Sequence, residues 1–327
     1  MAEKSDWEIP AEARPRPQDY AFDLDRALSS VLRIESTVPE DAFSAATLGT
    51  ERAGNAVLIR ESGLVLTIGY LMSEAERIWL YDVNSKAVAG HGLAYDYETG
   101  FGLVQALGRF DVPPLSIGSA ADLPVGEPVI VGGAGGRRRS LSAQVVARRE
   151  FAGYWEYLLD EAIFTAPAHP NWGGAALISR DGTLAGIGSL FVQQSVNGGP
   201  AQDLNMIVPI DLLKPIMDDL LTYSRVQRAA RPWLGIFAAE AEGRVVVVGL
   251  SPRGPAHQVG IRKGDVILTV GDQEITGLAQ LYRRVWALGS AGVEVPLTLA
   301  RDDRPRLAAI KSADRSQFLR SPRLPQA

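Results

Sequence analysis

The sequence predicts a mainly β protein: a long region of short strands closing into barrels or sandwiches, followed by a smaller α+β unit. Three observations predict it. Short apolar runs broken by turns recur from Gly54 to Val208, a spacing that belongs to all-β architecture rather than to βαβ units. The pattern then becomes helical, with apolar residues at Ile210, Leu213, Ile216, Met217, Leu220 and Leu221. Beyond Arg231-Pro232-Trp233, strands surround one clear helix up to about Asp314. At 327 residues, 46% apolar and 22% charged, the chain has material for two or three cores.

Residues 1–22, rich in Pro, Glu and Arg, read as a flexible amino-terminal arm, with Trp7, Tyr20 and Phe22 as anchors. A short helix follows from Asp23 or Asp25 to about Val31, and Ala46 to Thr50 reads as loop. The first strands are Ala56–Ile59 and Leu64–Thr67, flanking the turn Glu61-Ser62-Gly63, then Arg77–Val83, Ala87–Tyr95 and Phe101–Leu107. After Pro113-Pro114 come Pro128–Gly132, Leu141–Arg148, Trp155–Thr165, Ala175–Ser179, Leu184–Ser189 and Leu204–Val208. Asp181-Gly182 between two of these is a strong hairpin signal. Asp211 opens the helical stretch, where a carboxylate suits the dipole. The expected division is an arm at 1–22, a main domain at 23–228, a smaller domain at 229–314 and a basic tail at 315–327.

Composition removes several classes of function. A net charge of −5 gives no support for nucleic-acid binding, although residues 301–327 carry +4 of it and leave −9 for the rest. With no cysteine there is no disulfide, thiolate metal site or thiol chemistry. The three histidines fall in no metal-ligand spacing, and no cofactor is expected. Gly132 to Gly136, followed by Arg137-Arg138-Arg139, has neither Walker nor dinucleotide spacing and reads as a solvated loop. No apolar run is long enough to span a bilayer. The written start carries no signal-peptide stretch, which places the protein in the cytoplasm, or in the periplasm if the true start lies upstream.

The chemistry centres on Pro170-Asn171-Trp172-Gly173-Gly174, just ahead of the Asp181-Gly182 hairpin. Paired glycines let a backbone adopt positive φ and aim amides at a developing negative charge. This stretch resembles the nucleophile loop of HtrA-type, trypsin-like serine proteases, Gly-Asn-Ser-Gly-Gly, with Trp172 at the serine. The resemblance places Tyr70, in Leu66-Thr67-Ile68-Gly69-Tyr70-Leu71, at the histidine. It places Gly100, in Asp96-Tyr97-Glu98-Thr99-Gly100-Phe101-Gly102-Leu103-Val104, at the aspartate. Asn171, Gly173 and Gly174 are then the remnant of the oxyanion loop. It also implies a double six-stranded β-barrel of trypsin type.

The carboxyl-terminal unit resembles the circularly permuted PDZ domain of such proteases, through Ser251-Pro252-Arg253-Gly254-Pro255-Ala256 and Gly264-Asp265-Val266-Ile267. In that class a Tyr-Leu-Gly-Φ loop offers amides to a peptide carboxylate and the next strand pairs with the peptide. Here the loop is Trp233-Leu234-Gly235-Ile236, Phe237 begins the strand, and Leu281 and Val285 on the 278–288 helix face the groove or belong to the core.

Loss of all three triad positions leads the sequence reading to a pseudoprotease, not an enzyme, that binds peptides or protein carboxyl termini as a scaffold, chaperone-like or regulatory protein. Its partners would include copies of itself, as a trimer, or active relatives in mixed oligomers. The alternatives are a working serine endopeptidase with a non-standard site and a purely structural oligomer subunit. His169 lies near the loop, with Ser189 and Ser195 as the nearest serines, but neither serine sits on a glycine elbow. A partly exposed loop histidine is the expectation for His169, while His91 falls mid-strand and His257 in the PDZ unit.

Overall fold

The computed structural model describes residues 7–195 and 198–320. The chain divides into two compact units: Met1–Arg149 with Glu161–Val226 and Arg320–Ala327, and Glu150–Asp160 with Gln227–Leu319. Residues 1–6 of the expected arm and 321–327 of the expected tail lie outside the described residues.

The first unit opens with helix α1 (Leu24–Ser29), where the Asp23 carboxylate accepts from the Arg26 amide at 3.0 Å and satisfies one of the helix's orphan donors. Six strands follow: β1 (Val31–Thr37), β2 (Glu51–Leu58), β3 (Leu64–Ile68), β4 (Arg77–Tyr81), β5 (Ala87–Tyr95) and β6 (Phe101–Ala106). They close in the order β1-β2-β3-β6-β5-β4. A second closed barrel, in the order β10-β11-β12-β9-β8-β7, uses β7 (Pro128–Gly132), β8 (Ser140–Gly153), β9 (Tyr157–Ala166), β10 (Ala176–Ile178), β11 (Leu184–Ser195) and β12 (Ala201–Pro209). This is the trypsin-like double six-stranded barrel. Closure leaves no edge strand unpaired and lets alternating inward residues form each core.

Several local expectations change. Ala45–Leu48, expected as loop, is a single turn of helix, α2, ending at Gly49 with φ 78°. The expected helix to about Val31 stops at Ser29 and β1, which the apolar pattern does not mark, follows it, with Leu32, Ile34 and Ser36 alternating inward. The helical pattern after Pro209 resolves into a 3-10 turn and the short α3 (Met217–Tyr223). Asp211 caps no helix there: its carboxylate accepts from the Ala120 amide at 2.6 Å and the Ser119 hydroxyl at 2.8 Å. Where composition suggests a loose arm, Ile9 is only 3% exposed and packs in a core with Val131 and Leu141. Arg137-Arg138-Arg139 is not simply solvated, since Arg137 meets Asp25 at 2.7 Å and Arg139 lies over the Trp7 ring.

The second unit is a sheet ordered β13-β14-β15-β17-β18, with β16 pairing on β15. Its strands are β13 (Ile236–Ala241), β14 (Arg244–Leu250), β15 (Val266–Val270), β16 (Gln273–Glu274), β17 (Glu294–Arg301) and β18 (Arg304–Lys311). Two helices, α4 (Pro255–Gln258) and α5 (Leu278–Ala287), complete it. The fold is that of a PDZ domain. Gly264-Asp265 ties the turn before β15 to β17. The buried Asp265 carboxylate takes a two-pronged bond from Arg301, 2.6 and 2.7 Å, and accepts from the Arg262 amide at 2.8 Å. Burial alone would raise its pKa, but these donors outweigh that and hold it low.

Candidate functional site

Two loops could carry function, one at 170–174 and one at 233–236. The first is tied down by Asn55 on β2. Its side-chain nitrogen donates to the Asn171 and Gly173 carbonyls, 2.8 and 3.1 Å, and its backbone N–H donates to the Gly173 carbonyl at 2.8 Å. Gly174 has φ 74°, and a Cβ there would lie 1.8 Å from the Asn55 carbonyl oxygen. Only glycine fits.

His169 corrects an expectation. It is 0% exposed rather than a partly exposed loop residue. Its Nε2 bonds the Arg139 carbonyl at 2.9 Å, while Nδ1 accepts from the Asn171 amide at 3.1 Å. Burial lowers its pKa, against the two hydrogen bonds. A neutral ring with both nitrogens committed buttresses the loop, and neither nitrogen is open to take a proton.

The structure brings Tyr70 and Trp172 together. Tyr70, on a 3-10 turn after β3, donates its hydroxyl to the Ser189 carbonyl at 2.9 Å. Burial drives the phenol pKa up, with nearby Tyr95 adding to the rise and the polar edge of Trp172 opposing it only in part. The Tyr70 hydroxyl thus ends on a backbone carbonyl and not on a side chain that could pass on a proton. Gly100, which the sequence resemblance sets at the aspartate, has φ 87° and its carbonyl accepts from the Gly69 amide at 2.7 Å. Trp172 itself is half-buried, with its ring 5.5 Å from Phe191. Sequence reasoning overlooked Pro170. A trypsin-like oxyanion hole uses the N–H of the nucleophile and of the residue two before it, and proline has none. The signal was plain in the sequence.

Tyr70→Phe is expected to cost about 1–3 kcal/mol by leaving the Ser189 carbonyl without a donor in a buried site. Urea unfolding checks it, with Tyr223→Phe, at an exposed ring, as the reference substitution.

The second site is the PDZ loop. Gly235 has φ 76°, and a Cβ would come within 3.2 Å of Ser251 and Trp233. The amides of Leu234, Gly235 and Ile236 converge on one carboxylate, that of Glu156, at 3.0, 2.7 and 2.9 Å. Leu281 and Val285 are each 2% exposed and share an apolar cluster with Leu234 and Leu158. Phe237 is half-buried, with Tyr154 edge-on at 5.9 Å. Sequence reasoning located this loop but missed Glu156, whose partners are distant in the chain. Among the described residues no cluster of His, Asp and Glu could hold a metal, and no helix is long and apolar enough to cross a membrane.

Comparison with known proteins agrees with this geometry at the level of family. A model of the trypsin-like peptidase domain matches residues 54–187, and one of the PDZ domain matches 232–311. The probable periplasmic serine endoprotease DegP-like of Pseudomonas fluorescens is 25% identical over 264 residues, 77% of this chain and 54% of that protein. Serine endoprotease DegS of Haemophilus influenzae is 25% identical, covering 69% of this chain and 67% of its own length. Serine protease PepD of Mycobacterium tuberculosis is 24% identical over 80% of this chain. The chain spans little more than half the length of the DegP-like relatives it matches. Among solved structures, HtrA-type protease AlgW with a tripeptide superposes with a TM-score of 0.51 at 19% identity, over 91% of this chain and 97% of that one. That likeness concerns the fold. The relatives' names overturn one expectation: the matched proteins are serine endoproteases and proteases, so the reading of this chain as a non-enzyme, drawn from three side chains, does not stand. The chain thus carries a trypsin-like peptidase domain followed by a PDZ domain, and over both it is similar to serine endoproteases of the DegP and DegS type.

Proposed function

We propose that this chain is an HtrA-type protein that acts on polypeptides as a serine endopeptidase and gathers them by their carboxyl termini through the PDZ loop. One observation carries the receptor half: three consecutive amides, from Leu234, Gly235 and Ile236, converge on a single carboxylate. Convergent backbone donors are what a terminal carboxylate needs, and the neighbouring edge strand β13 offers a ladder for the peptide backbone. The endopeptidase half is supported by the names of the relatives.

Positions 70, 100 and 172 supply no serine–imidazole pair, and Pro170 supplies no oxyanion donor. The hydrolytic step in this proposal therefore takes its nucleophile from another hydroxyl of the chain. Purified protein is expected to degrade unfolded casein and to be labelled by a fluorophosphonate at a serine that peptide mapping identifies. Trp172→Ala should leave the rate within about twofold, because that side chain takes no part in proton transfer. Casein that stays intact at high protein concentration, with no labelled serine, would overturn the endopeptidase half.

A further inference from the structure

The carboxylate held by the PDZ loop belongs to the chain itself. Residues Glu150–Asp160, the tip of the β8–β9 hairpin, are part of the second compact unit. Glu156 sits half-buried at the turn with φ 60°, its two carboxylate oxygens shared among the amides of Leu234, Gly235 and Ile236. Two residues earlier, the Tyr154 carbonyl accepts from the Ala238 amide at 2.9 Å, which adds the hairpin to edge strand β13. Two residues later, Leu158 is 8% exposed in the apolar cluster that contains Leu234, Leu281 and Val285. Tyr282 on α5 donates to the Gly153 carbonyl at 2.7 Å and accepts from the Glu156 amide at 3.3 Å. Arg283, one residue on, reaches Glu150 and Asp160 on the two sides of the tip.

A peptide that ends in a PDZ groove offers three things: a carboxylate for the loop, backbone groups for the strand and an apolar side chain for the pocket. The hairpin offers all three. We propose that residues 150–160 are a built-in ligand of the PDZ groove, with the Glu156 side chain standing in for a terminal carboxylate, so that an incoming carboxyl terminus binds only by displacing it. The proposal rests on reading the groove as a peptide receptor. It also names the ligand class beyond chain ends: an acidic side chain at a hairpin turn, followed two residues on by an aliphatic one. Bonds from three consecutive amides seat the tethered carboxyl group. Covalent tethering adds an effective concentration in the millimolar range, against which a free peptide must compete.

Full-length protein tests this with Glu156→Ala and the more conservative Glu156→Gln. Hydrogen–deuterium exchange of residues 233–238 reads the loop, and exchange in β17 and β18 reports whether each variant stays folded. A fluorescein-labelled decapeptide pool with free carboxyl termini and an apolar last residue reads the groove. Removal of the carboxylate is expected to speed exchange at 233–238 at least tenfold, leave β17 and β18 unchanged, and tighten binding of the pool at least tenfold. Unchanged exchange at 233–238 would overturn the built-in ligand. Equal binding by wild type and variants would also overturn it, while leaving the receptor reading intact. Faster exchange with no peptide bound by any of the proteins would instead bring down the receptor reading, and the built-in ligand with it.

Discussion

Gly174→Ala is expected to destabilise the first unit by about 3 kcal/mol or more, the largest effect of any single methyl in this chain. Two costs add. A residue with a Cβ at φ 74° pays about 1–2 kcal/mol for the left-handed conformation. The new carbon also arrives 1.8 Å from the Asn55 carbonyl oxygen, a backbone atom that cannot swing aside. Overpacking against a rigid neighbour costs about 1–3 kcal/mol. Asn55 cannot retreat, because its own amide and side chain already hold Gly173, Asn171 and the Ala134 amide. Urea unfolding followed by tryptophan fluorescence checks the figure. A loss under about 1 kcal/mol would mean that the loop at 170–174 is not clamped as described.

Raising the pH from 6 to 8 is expected to loosen the hairpin from the PDZ loop roughly tenfold. Burial pushes the Glu156 carboxyl up to about 7, against the opposing pull of the Leu234, Ile236 and Gly235 amides and the Arg315 charge. Tyr282 also faces it through the Glu156 amide, its own pKa raised by burial and, more weakly, by Glu156 and Glu240. Seated Glu156 thus holds its proton more tightly than Glu156 released into water. A raised folded pKa means that seating is strongest below the released value near 4.5, weakens as pH climbs towards 7 and levels off above it. A peptide's terminal carboxylate is ionised throughout this window, so the groove becomes easier to enter at higher pH. Exchange at residues 233–238, corrected for intrinsic rates, measures this directly. Glu156→Gln should abolish the pH dependence.

Much of this architecture was legible in the sequence because its signals are local. The Asp181-Gly182 hairpin, the turn at Gly63 and the Gly264-Asp265 step each specify a backbone shape through residues next to one another. The missed elements hid for physical reasons. Strand β1 alternates, but charged Arg33 and Glu35 on its outer face broke the apolar run that marks a strand. β18 is an edge strand with Arg304, Pro305 and Arg306 at its start, and only Ile310 is buried along it. An edge needs one apolar contact where a central strand needs many. Ala45–Leu48 is a single helical turn, too short for periodicity to show.

The site divides the same way. The loop 233–236 could be located from its glycine, and the approach of Tyr70 to the 170–174 loop follows from the strands that flank each. What Tyr70 and His169 bond to could not be located, since Ser189 and Arg139 lie far along the chain. Glu156 was the least legible of all. In sequence it is one acid in an aromatic stretch, Tyr154-Trp155-Glu156-Tyr157, and its importance comes wholly from three amides that tertiary structure delivers.

The central claim is that the loop Trp233–Ile236 is a carboxylate receptor. The most direct measurement compares one fluorescein-labelled decapeptide in two forms, free acid and carboxyl-terminal amide, by anisotropy against the full-length Glu156→Ala protein. The receptor predicts that the free acid binds at least tenfold tighter than the amide, and that Gly235→Trp, added to the same protein, removes the difference. Equal binding of the acid and the amide would contradict it.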